Sequence, residues 1–218
     1  MPSETGRRIF LAIGVSRCQH LSREEQLPGV GDDVRTVRNL FTGFGYAPVL
    51  EGIGDYGSAN DIREKVRRWM ADVEPGEEDV VVLYFAGHGH APDRDRHHLC
   101  CWDTREETPA ATAPATEDLV RILCEGRLRR LLLVLDTCAA WSPGCRLPEA
   151  GRGVRPPMVR VWTNVADRRD VVALAKELAP LFGDVVDLPV GNGPRAHDAS
   201  PYLTSEEVGR AVAAALAY

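Results

Sequence analysis

Two uninterrupted apolar runs, residues 79–86 (DVVVLYFA) and 130–135 (RLLLVL), constrain this chain more than any other feature. Each is short and lacks polar alternation, the pattern of a strand covered on both faces. A similar run over residues 7–16 (RRIFLAIGVS) supplies a third buried strand, ending at Gly14. Segments of helical period lie between them. Val34, Val37, Leu40 and Phe41 share one face of a helix opened by Asp32 and Asp33 and stopped by Gly43 and Gly45. Ile62, Val66, Trp69 and Met70 recur at helical spacing behind a capping Ser58, and Pro75-Gly76 ends that helix. Shorter strands are predicted at 46–50 and 98–102, with a helix capped by Thr116 running through Cys124. Further on, the pattern predicts strands at 159–165 and 185–188 and a helix over 167–182. A last helix takes Thr204 as cap and Glu207 in the capping-box position. Strand and helix alternate along the chain, which implies an α/β fold with a mostly parallel sheet and helices on both faces.

At 218 residues the chain is sized for a single domain spanning 1–218, with a Pro/Gly-rich loop at about 139–158. Its net charge of -6, from 26 basic and 32 acidic residues, argues against a nucleic-acid partner. No apolar run approaches the roughly 18 residues of a membrane span. The apolar residues 9–15 are too few for a secretion signal, so a cytoplasmic location is expected. The six cysteines follow no disulfide spacing, and Cys100, Cys101 and Cys124 read as small buried hydrophobes. His88, His90, His97, His98, Cys100 and Cys101 match no common zinc spacing, so no metal site is assigned. Residues 52–57 are glycine-rich but lack the Lys-Ser/Thr of a phosphate loop.

The chemistry is expected at the carboxyl ends of the strands, where ligands gather in open α/β sheets. One central run continues into Ala86-Gly87-His88-Gly89-His90, and the other into Asp136-Thr137-Cys138. If the two strands are neighbours, an imidazole and a thiol meet at one edge, the pair that thiol acyl transfer needs. Gly87 and Gly89 leave room for a scissile backbone, and an N–H near Gly89 is suited to stabilise an oxyanion.

These two segments, YFAGHG (84–89) and LLLVLDTC (131–138), resemble the catalytic segments of the caspase-like peptidases, which include caspases, metacaspases and bacterial relatives. The resemblance implies a caspase-like three-layer sandwich and a cysteine endopeptidase, with Cys138 as nucleophile and His88 as catalytic histidine. The backbones of Gly89 and Cys138 would form the oxyanion site. In metacaspase-like members acidic residues line the pocket for the side chain before the scissile bond. LPGVGDD (27–33) puts Asp33 at one such position, Asp136 takes the other, and Ala86 replaces a pocket serine. Paired carboxylates bind guanidinium, so cleavage after Arg, and secondarily Lys, is expected. The substrate would be a protein or peptide. Sensor or effector partner proteins in bacterial stress or defence systems follow from the resemblance alone. No cofactor is required. Calcium, which some metacaspases bind, is the one candidate activator, at the DRDR run (93–96), which otherwise reads as a solvated loop.

The sequence departs from the family after the nucleophile, where AAWSPG (139–144) stands in place of small residues. A catalytically inactive caspase-like scaffold is therefore the alternative. Arg146, Arg152 and Arg155 lie in the loop behind Cys138, which is either an ordinary surface loop or a site of self-cleavage after Arg152 or a neighbour.

Overall fold

The computed structural model describes residues 6–93, 96–105, 107–139, 159–169, 176–193 and 199–216. The loop behind Cys138 and the centre of the DRDR run, both singled out above, lie outside the described residues. The chain divides into two compact units, one of Met1–Pro92 with Arg96–Trp141 and one of Asp93–Asp95 with Ser142–Tyr218.

The first unit runs β1 (Arg8–Gly14), α1 (Val30–Gly43), β2 (Ala47–Val49), α2 (Ala59–Val73), β3 (Val80–Asp93), β4 (Arg96–Leu99), α3 (Pro109–Thr112), α4 (Thr116–Cys124) and β5 (Arg130–Ala139). β1 pairs in parallel with both β2 and β3. β3 pairs in parallel with β5, and β4 also pairs with β3. Since β1 and β5 both take up Val80–Ala86, they flank β3 on opposite edges. The most apolar run is thus the central strand, as its covered faces require.

Strand alternation sorts the two faces. Ile9, Leu11 and Ile13 join Val81, Leu83 and Phe85 in a core closed by Ile62, Val66 and Trp69 of α2 and Leu119, Ile122 and Leu123 of α4. On the opposite face Phe10 stacks on Phe41 of α1, with ring centroids 5.0 Å apart. Tyr46 then meets Phe41 edge-on at 5.3 Å. Helices therefore cover both faces of a mostly parallel sheet.

Local chemistry explains the helix ends. Ser58 caps α2 in a reciprocal box, its Oγ accepting from the Asp61 N–H (3.1 Å) while its own N–H donates to Asp61 Oδ2 (3.0 Å). α1 begins at Val30, two residues before the expected start, and has no side-chain cap; Asp32 and Asp33 lie in its first turn and complement the helix dipole. Thr116 lies inside α4 rather than capping it, because its hydroxyl is engaged with His97 Nδ1 at 2.8 Å.

β3 is longer than its apolar run. The expected loop after Gly87 continues as strand to Asp93, with β4 and β5 supplying backbone partners. β4 falls at Arg96–Leu99 rather than at 98–102.

The second unit contains β6 (Thr163–Asp167), α5 (Ala179–Phe182), β7 (Val186–Val190), α6 (Ala199–Thr204) and α7 (Glu206–Leu216). β6 and β7 pair in parallel. Asp187 accepts the N–H groups of Leu178 (2.8 Å) and Ala179 (2.9 Å), which fixes the start of α5. Of the long helix expected over 167–182, residues 170–175 lie outside the described residues and the end is the short α5. The cap of the last helix shifts by one: Ser205 Oγ, not Thr204, accepts the Val208 N–H at 3.3 Å.

Arg7 and Asp79, each the residue before its strand, clamp the starts of β1 and β3 together. Arg7 donates through its backbone N–H (2.6 Å), Nε (3.0 Å) and Nη2 (2.6 Å), and the Gly76 N–H adds a bond at 2.8 Å. These contacts hold the Asp79 carboxyl down at about 2, from 3.8. Asp79→Asn should cost about 2 kcal/mol of unfolding free energy at pH 7. The folded pKa lies below the unfolded one, so the stabilisation is complete above 3.8 and fades as pH falls through about 2. Urea denaturation of both proteins across that range checks the magnitude and the convergence.

Candidate active site

His88 lies within β3 and is buried. Its Nε2 is 2.7 Å from the carbonyl oxygen of Glu25, on the loop between β1 and α1. A carbonyl only accepts, so Nε2 carries the proton and, in the neutral ring, Nδ1 holds the lone pair. Burial pulls the imidazole below its usual pKa, while the Glu25 carbonyl and carboxylate oppose the shift. The ring is therefore a neutral base at pH 7.

The β3–β5 register pairs Ala86 with Asp136, Gly87 with Thr137, His88 with Cys138 and Gly89 with Ala139. His88 and Cys138 are thus backbone neighbours on adjacent parallel strands, spaced by roughly 4.8 Å. The side chains of Cys138 and Ala139 lie outside the described residues. Two glycines make the local path possible. Gly87 has φ +154, and a Cβ there would lie 3.3 Å from Phe85 and from Val15. A Cβ on Gly89 would come 2.6 Å from His97 Nε2.

Asp136 and Asp33 act on a common group, Tyr84. This phenol is fully buried, and its hydroxyl donates to Asp136 Oδ2 at 3.0 Å. Burial raises its pKa most, followed by the charge and hydrogen bond of Asp136 and then the charge of Asp33. Ala86 is buried two residues before His88, paired with Gly14 on one side and Asp136 on the other. Tyr84 is absent from the expected site because a tyrosine within an apolar strand reads as core. The clue was its hydroxyl, which needs a partner when buried.

His97 supports the opposite side of the same strand ends. Its Nδ1 meets Thr116 Oγ1 at 2.8 Å and its Nε2 meets Thr137 Oγ1 at 3.4 Å, next to Cys138 in sequence. Among the described residues, no three His, Cys, Asp or Glu side chains are grouped to hold a metal ion. Burial, with His98 and His90 adding to it, lowers the His97 pKa from 6.5 to about 4. A folded pKa below the unfolded one means that stability is lost as pH falls from 6.5 toward 4. Over that whole interval His97 accounts for about 3 kcal/mol. Urea denaturation at pH 7 and pH 4.5 should show the loss, and His97→Gln should remove this share of it. An unchanged pH dependence in the variant would contradict the assignment.

The family model of the peptidase C14 caspase domain matches residues 7–176. No curated protein matches the chain. Among solved structures, protein GSU0716 from Geobacter sulfurreducens is similar at 15% identity and a TM-score of 0.41, over 61% of this chain; the chain spans half the length of that protein. The family model covers most of the sequence, including both strand ends that carry His88 and Cys138, and the chain belongs to the caspase-domain family of cysteine peptidases.

Proposed function

We propose that the protein is a cysteine endopeptidase that hydrolyses peptide bonds after Arg, and less readily after Lys. The observation that carries this is the register of His88 with Cys138 on adjacent parallel strands, with the His88 ring oriented by the Glu25 carbonyl. In the proposed reaction Nδ1 of His88 accepts the Cys138 thiol proton, and the thiolate attacks the scissile carbonyl carbon. The resulting imidazolium then protonates the departing amine, leaving a thioester. His88 next takes a proton from water, whose oxygen attacks the thioester, and returns that proton to sulfur as the acid product leaves.

The oxyanion is assigned to the backbone N–H groups of Gly89 and Cys138. Ala86 and His88 turn their carbonyls toward Val15 and Cys100, each at 2.9 Å. Strand alternation then directs the backbone groups of Gly89 the other way, toward β5. The assignment rests on the likeness of the two strand-end segments to the catalytic segments of the family.

Asp33 and Asp136 form the proposed pocket for the Arg side chain. Tyr84 holds the Asp136 carboxylate from beneath, and Ala86 keeps the wall between them small. Removing the phenolic hydroxyl takes one donor from a half-buried carboxylate. The substrate is a protein or peptide. A bacterial stress or defence setting, with sensor or effector partners and a cytoplasmic location, belongs to the same proposal. Among the described residues, no helix is long and apolar enough to cross a membrane.

The run AAWSPG after Cys138 favours a second reading, an inactive scaffold. A panel of peptides with Arg, Lys or Asp before the leaving group separates the two. The peptidase reading predicts turnover of Arg peptides that falls at least about 1,000-fold in Cys138→Ala. No turnover, together with no labelling of Cys138 by an Arg-directed electrophile, would favour the scaffold. Tyr84→Phe should lower kcat/KM for Arg peptides by about 3- to 30-fold, a lost hydrogen bond to a charged group. Its alkylation rate at Cys138 should not change. Preference for Asp peptides would refute the acidic pocket and leave the dyad standing.

A further inference from the structure

The Glu25 carbonyl that orients His88 belongs to an irregular loop, and a single side chain organises that loop. The Gln26 carboxamide accepts the Cys18 N–H through Oε1 at 2.8 Å. Its Nε2 donates to the carbonyls of Cys18 (2.9 Å), Leu21 (3.0 Å) and Ser22 (3.2 Å). One amide therefore reaches four backbone groups between Cys18 and Ser22, its two N–H hydrogens shared among three carbonyls, of which Cys18 O and Ser22 O also accept the backbone N–H groups of Leu21 (3.2 Å) and Glu25 (3.3 Å). The loop is anchored at its outer ends by Leu27 N–H to Ser16 O (3.0 Å) and Gln19 N–H to Trp102 O (2.7 Å). Glu25 immediately precedes Gln26, and its N–H donates at 3.3 Å to the same Ser22 carbonyl that the carboxamide reaches, so the Glu25 carbonyl is held within this network. The carbonyl then accepts from His88 Nε2 at 2.7 Å.

We infer that Gln26 is a positioning residue for His88, acting through the Glu25 carbonyl to hold the imidazole as its Nε2–H tautomer. The inference rests on the dyad proposed above. The Glu25 carboxylate also acts on the ring, and it accepts the Ser22 N–H at 3.0 Å, so it belongs to the same loop. Without the carboxamide the carbonyl is no longer delivered to one place. The ring then samples both tautomers and a wider range of orientations, which lowers the fraction able to accept a thiol proton through Nδ1.

Gln26→Met keeps the length of the side chain and removes its hydrogen bonds. We expect kcat on an Arg peptide to fall by roughly 10- to 100-fold with KM within about twofold of wild type. Ring 15N shifts should show His88 as one Nε2–H tautomer in the wild type and as a mixture in the variant. Unchanged kcat and an unchanged tautomer would overturn the role of Gln26 and leave the dyad intact. Absence of wild-type turnover would count against the dyad, while the tautomer comparison would still decide the role of Gln26. Should Gln26→Met fail to fold, hydrogen exchange in the wild type is decisive. The His88 Nε2–H, the Cys18 N–H and the Gln26 carboxamide protons should exchange with one common opening rate. Independent exchange of the His88 proton would refute the coupling.

Discussion

The parallel register between β3 and β5 is the constraint from which the candidate site follows. It extends from Val80↔Arg130 to Gly89↔Ala139 without interruption. A slip of one residue would move every side chain of β5 to the other face of the sheet. In this register Leu131 and Leu133 pack against the core beneath α2 and α4, and a slip would carry Asp136 away from the Tyr84 hydroxyl that donates to it at 3.0 Å. That register sets His88 opposite Cys138 and Ala86 opposite Asp136.

Polar groups at the strand ends are buried at a cost that specific partners offset. Tyr84 and Asp136 satisfy each other, His97 is held between two threonine hydroxyls, and His88 donates to a backbone carbonyl. Burial keeps both imidazoles neutral, with different consequences. His97 has hydroxyl partners at both nitrogens, which suits a strut. On His88 the carbonyl fixes the proton on Nε2 and leaves the basic lone pair on Nδ1, which suits a proton acceptor.

Most of the first unit was readable in the sequence because its strands are apolar runs and its helices carry a clear period. The end of β3 was not. Residues 87–93 are rich in Gly, His and Pro, and they become strand because β4 and β5 provide backbone partners that composition does not announce. Thr116 and Thr204 looked like caps, but a hydroxyl goes to its best neighbour: His97 takes that of Thr116, and Ser205 caps the last helix. Tyr84 was hidden by its apolar surroundings. Glu25 and Gln26 were harder still, since one contributes a backbone carbonyl and the other binds backbone groups. Neither leaves a motif of residue types.

The central claim is that His88 acts on the proton of Cys138. It is tested most directly by the rate at which iodoacetamide alkylates Cys138 between pH 5 and 10, in the wild type and in His88→Ala, with no assumption about substrate. The account predicts that wild-type Cys138 reacts well below the ordinary thiol pKa of about 8.5, and that His88→Ala returns the reaction to that range. Superimposable profiles centred near pH 8.5 in both proteins would contradict it.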